Sequence, residues 1–92
     1  MVGLSKIPGS DIRIYPNPNS GKFVVEVESA ALLDIALEVT NLQGKSLYRS
    51  ERTTEQAHFR KEVNLQDVPA GMYLVQIKTS AGTVTRKVLV ER

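Results

Sequence analysis

The chain has 92 residues and a formal net charge of +2, with no cysteine, no tryptophan and one histidine, His58. A chain of this length is one domain or a piece of a larger protein, and it buries roughly 60–65% of its unfolded surface in one modest core. The missing cysteines exclude disulfides, thiol catalysis and cysteine-ligated metal sites, and the slight basic excess, spread along the chain, does not argue for a nucleic-acid partner.

Residues 1–10 have a linker's composition and lack the charged and apolar regions of a signal peptide. From there on the apolar period is two. Ile12 and Ile14 alternate with polar neighbours until Pro16, and Pro16-Asn17-Pro18-Asn19-Ser20-Gly21 is a loop that cannot be helix. Phe23, Val25 and Val27 share one strand face. Residues 29–33 are helix-compatible but too short to stand as a helix, and read as a turn or bend before the next strand, carrying Ile35, Leu37 and Val39. Asn41-Leu42-Gln43-Gly44 turns the chain into a short strand at Leu47, and the wholly polar residues 50–56 read as an exposed connection. Phe59, Val63 and Leu65 follow in phase, with Lys61 interrupting. After the turn Asp67-Val68-Pro69-Ala70-Gly71 come Tyr73, Val75 and Ile77, then the turn Ser80-Ala81-Gly82, then Val84, Val88 and Val90. About seven short strands with turn signals at about ten-residue intervals predict an all-β fold, a small immunoglobulin-like antiparallel β-sandwich.

The chemistry-bearing residues form no catalytic constellation. His58 lies beside Arg60 and Lys61 in a strand, where a surface histidine is the plain reading and a catalytic base has no partner. Asp11, Asp34 and Asp67 are isolated, so no metal site is expected. Glu26 and Glu28 fit a solvated strand face rather than the paired carboxylates of a glycosidase. Gly71 and Gly82 are single turn glycines, not a phosphate cradle. Phe23, Phe59 and Tyr73 are in phase with the core, Tyr15 is expected under the proline loop, and Tyr48 fits either environment. Neither a catalytic residue nor a cofactor is expected. Arg86 and Lys87, in the last strand, admit two readings: edge protection by charge, or a strand that a partner grips.

Three blocks of this sequence resemble the C-terminal sorting domains of the type IX secretion system of Bacteroidetes. Ile14-Tyr15-Pro16-Asn17-Pro18-Asn19-Ser20-Gly21 and the strand after it are similar to the family's opening motif. Residues 37–48 are similar to its central strand, glycine turn and strand. Leu65 and Val68-Pro69-Ala70-Gly71-Met72-Tyr73, followed by Gly82 and Thr85-Arg86-Lys87-Val88-Leu89-Val90, are similar to its closing motif.

The resemblance implies residues 1–10 as a linker from cargo or cloning and 11–92 as the sorting domain. It implies a secretion signal, carried at the end of an N-terminal cargo through the periplasm and the outer-membrane translocon. A sortase-like peptidase then removes it, and the cargo is anchored to lipopolysaccharide or released. The cut is expected in the stretch running from Gly3 to Ser10. Tyr15, Pro16, Asn17, Pro18, Gly21, Gly44, Pro69, Gly71, Tyr73 and Gly82 are the structural motif residues. Recognition is assigned to Arg86, Lys87, Val88, Leu89 and Val90, through strand addition at a free sheet edge. The same edge offers an isolated fragment a route to an edge-paired or domain-swapped dimer. The competing readings are a carbohydrate- or adhesion-type binding sandwich and a spacer of a surface protein.

Overall fold

The computed structural model describes residues 10–65 and 67–91. They form six strands: β1 (Ser10–Tyr15), β2 (Lys22–Thr40), β3 (Ser46–Arg49), β4 (Thr53–Asn64), β5 (Gly71–Thr79) and β6 (Gly82–Val90). All pairings between these strands are antiparallel.

One strand organises the sheet. The first half of β2 lies between β1 and β4, with Val25 opposite Ile14 on one side and Lys61 on the other. Its second half lies between β3 and β5, with Val39 opposite Tyr48 and Val75, and β6 closes the row beyond β5. Phe23, Val25, Val27, Leu33, Ile35, Leu37 and Val39 all point inward from β2, at alternate positions on either side of its exposed middle. The sheet curls at the middle of β2, so its two halves share one core with Phe59, Val63, Tyr73, Val75, Ile77, Val84, Val88 and Val90.

Two local expectations are corrected. Residues 29–33 are not a turn between strands but the middle of β2, which makes six strands of about seven. Five steps along β2, from Glu28 to Leu33, are matched by only two along β4, from His58 to Gln56. The surplus bulges out and bends the strand without ending it. No glycine or proline stands there to break the backbone, and only the burial is interrupted. The polar stretch 50–56 is exposed, but β4 already begins at Thr53. It carries no apolar alternation, and its side chains stay exposed or half-buried although it pairs with β2 at Leu33 and Ile35. β1 starts at Ser10.

Candidate functional site

The three sequence blocks gather at one end of the curled sheet. The proline loop leaves β1 at Tyr15, with both the Tyr15–Pro16 and Asn17–Pro18 bonds cis, and lies along the outer edge of β6. Asn17 Nδ2 donates to Lys87 O (3.2 Å), and Leu89 N–H donates to Asn17 Oδ1 (3.0 Å). Asn19 N–H donates to Leu89 O (3.0 Å), and Glu91 N–H donates to Asn19 O (2.7 Å), forming a short parallel bridge opposite Val90. The Asn19 side chain is buried and ties the loop to itself, donating to Pro16 O (3.0 Å) and accepting from Gly21 N–H (2.9 Å). The opening block therefore clasps the closing one across about 70 residues of sequence, and the amide side chains satisfy edge groups that would otherwise face water.

The other two turns flank a shallow groove of about 460 Å3, lined by residues of 41–47 and 67–73. Asn41 Oδ1 accepts from Gln43 N–H (3.0 Å) and Lys45 N–H (2.9 Å), holding the turn while Gly44 takes φ 91°, where a side chain would be strained. The Tyr73 hydroxyl donates back to Pro69 O, four residues upstream, which gives the Pro-Ala-Gly-Met-Tyr spacing its physical reason. A buried tyrosine closes its own turn in the manner of a tyrosine corner. Leu42 and Met72 remain exposed beside the groove. Leu65 N–H donates to Gly21 O (2.7 Å), joining the loop to the start of this turn.

The five residues assigned to recognition do not present one surface. Because side chains alternate along β6, Val88 and Val90 are buried in the core, and Arg86, half-buried, shares their face. Lys87 is exposed on the opposite face, with the half-buried Leu89 beside it. Arg86 and Lys87, adjacent in sequence, point to opposite faces of the sheet.

The opposite end holds the entry of the chain. Ser10 pairs with Ser29, and five residue steps of about 3.4 Å, roughly 17 Å, separate it from Tyr15 and the clasp. Gly3 lies outside the described residues. Asp34 gathers this end: its carboxylate meets Arg52 (2.6 Å) and accepts from Glu55 N–H (3.3 Å), while its carbonyl accepts from Ser80 N–H (3.1 Å). Arg52, then the Glu55 amide, hold its pKa below the ordinary value. Between the ends, on the solvent face of β2, Glu38 meets Lys78 (2.7 Å) and Arg49 (3.1 Å). These partners, Lys78 foremost, lower its pKa from the ordinary 4.5 to about 2. Tyr15 is partly exposed, and its hydroxyl donates to Glu26 across the sheet. That bond, with partial burial, raises its pKa. His58 is exposed on β4 opposite Glu28. Among the described residues, no three histidine or acidic side chains converge to hold a metal ion.

Asn19 and Asn41 stand in turns that the sequence delimits, but the sequence reading gives their side chains no role. The signal for both was present, since asparagines in loops fold their side chains onto nearby main chain, but what Asn19 bonds beyond its own loop could not be inferred locally.

Comparison with known proteins gives this geometry a context. A family model described as a secretion system C-terminal sorting domain matches residues 13–91. An endo-acting ulvan lyase of Formosa agariphila is 26% identical over 76 residues, which is 83% of this chain and 14% of that enzyme. The chain therefore spans about a seventh of the length of this curated relative. Among solved structures, the soluble domain of PmoD from Methylocystis sp. superposes with a TM-score of 0.60 at 15% identity, covering 89% of this chain and 90% of that one. The C-terminal domain of Wzt gives 0.51 at 15% identity, covering 98% and 75%. At such identities these two likenesses concern the fold alone.

Proposed function

This chain belongs to the secretion system C-terminal sorting domain family, and from that premise we propose how its two ends divide the work. As a member it is a sorting signal of the type IX system, serving export toward the outer membrane, the cell surface or the medium. It works with a secretion machinery and an N-terminal cargo. In our reading the cargo enters at Ser10, and the far end, where the three sequence blocks meet, is what the translocon meets. The observation that carries this is the clasp of Asn17 and Asn19 on β6, because it builds one surface from blocks far apart in sequence.

Within that surface Lys87 and Leu89 supply outward contacts, while Arg86, Val88 and Val90 hold the strand from its core side. A sortase-like peptidase removes the domain after passage through the periplasm, cutting on the Gly3 side of Ser10, since Ser10 itself is tied into the sheet opposite Ser29. The cargo is then anchored or released. The domain performs no catalysis of its own, and its part is to be recognised and removed.

A transplant tests this. Residues 1–92 are fused to the C-terminus of an exported fluorescent reporter, in a Bacteroidetes host with the type IX machinery and in a matched host lacking the translocon. Reporter on the surface or in the medium only in the first host, with the domain trimmed off, is expected. Reporter trapped in the periplasm of both, with the domain folded and intact, would refute the reading.

A further inference from the structure

The clasp covers only half of the β6 edge. Main-chain groups of successive strand residues point alternately to the two sides. In β6 the even residues, from Gly82 to Val90, face β5, so the odd ones face outward. Asn17 and Asn19 satisfy Lys87 O, Leu89 N–H, Leu89 O and Glu91 N–H. Upstream of them, among the described residues, nothing pairs with the outward N–H and C=O of Thr83 and Thr85 or with the outward N–H of Lys87. The open window is thus residues 83–87, bounded by the Ser80-Ala81 turn at one end and the clasp at the other.

Its charge is one-sided. Residues 71–90 contain Lys78, Arg86 and Lys87 and no Asp or Glu. Lys78 is paired with Glu38, whereas no carboxylate among the described residues meets the Lys87 ammonium. The half-buried Arg86, on the core-facing side of this edge strand, disfavours an entirely apolar incoming strand. The other edges are less suited. β1 runs directly into the cargo at Ser10, β3 is four residues long, and β4 turns Lys61 toward the core side and carries the Arg60–Glu62 pair.

We infer that residues 83–87 are the docking edge, and that they receive an extended strand of the secretion machinery carrying an acidic side chain beside Lys87. This rests on the sorting function proposed above. Main-chain pairing to Thr83 and Thr85 supplies the hold, and the Lys87 ammonium selects an acidic strand. The clasp sets where the added strand must stop.

The test uses the same reporter fusion. Thr85→Pro removes one outward N–H without touching the β5 ladder, a substitution that edge positions tolerate. Lys87→Glu reverses the charge and leaves the main chain intact. Each should lower exported reporter at least about tenfold, as expected for loss of a main-chain bond or reversal of a contact charge. As a control away from this edge, His58→Gln on the exposed face of β4 should export like the parent. Melting of the purified domains checks folding, and if Thr85→Pro is unfolded, Lys87→Glu decides alone. Parental export by the folded Thr85→Pro and Lys87→Glu variants overturns the docking edge. Failure of the parent fusion itself strikes the sorting reading instead. A parental dimer in sedimentation, dissolved by Thr85→Pro with export unchanged, would assign the edge to a second copy and overturn the proposal.

Discussion

Glu38 shows how a single side chain holds two strands to a third. Its carboxylate lies on the solvent face of β2 but is only 12% exposed, with Arg49 of β3 and Lys78 of β5 closing on it from both sides. Its pKa falls from 4.5 to about 2 in the folded chain, so the folded state binds its proton less readily than the unfolded one. The stabilisation is complete above pH 4.5 and is lost as pH falls through about 2. Both cations are largely exposed and screened by water, so the contribution is set at about 1 kcal/mol. Urea unfolding should show Glu38→Gln less stable than the parent by that amount at pH 7, with the difference gone once pH is below about 2. Equal stabilities at pH 7 would contradict it. The strand alternation already placed Glu38 on the outer face. Which cations would flank it depended on strand order, which no local pattern contains.

At the scale of elements, the clasp and the bend in β2 stand out. Asn17 joins loop to strand through both ends of its amide, so Asn17→Ala should cost about 1–2 kcal/mol. The same change should speed hydrogen exchange at the Leu89 amide, which Asn17 Oδ1 accepts. The Thr85 amide, outward and without a partner strand among the described residues, should exchange fast in parent and variant alike. A Leu89 amide that exchanges as fast in the parent as in the variant would remove the clasp. The apolar stretches of the strands were legible from their period of two, and the tight turns from their glycine, proline or asparagine. The bend was not, because residues 29–33 carry neither a break signal nor an apolar face. Such a segment reads as a gap between two strands until the pairing partners on both sides are seen to continue through it. The polar start of β4 was missed for the companion reason, since a strand that covers little core need not alternate.

For the whole molecule, the arrangement is polar: β1 begins at Ser10, where the proposed function places the cargo, and the sequence blocks converge at the other end. Lengthening residues 1–9 with glycine and serine should leave export of a fused reporter unchanged, because it alters only the spacing to cargo. A folded tag appended after Arg92 follows Val90 and the clasp by two residues of chain, and should cut export at least about tenfold through steric exclusion. Fluorescence of surface and medium fractions checks both, and export of the tagged fusion at parental level would contradict the proposed working end.

Alternation and turn chemistry determined from sequence alone that the chain is all-β, where its tight turns fall, and which residues point inward. Backbone geometry dictates these residue by residue. The family was legible too, because three blocks stand in order along the chain. The tertiary structure decided the rest. It joined two predicted strands into β2, turned Arg86 and Lys87 to opposite faces, and set the proline loop on β6, leaving residues 83–87 as the open edge. Those outcomes depend on which main-chain groups pair across long separations, and that is settled only when the sheet curls and closes on its core.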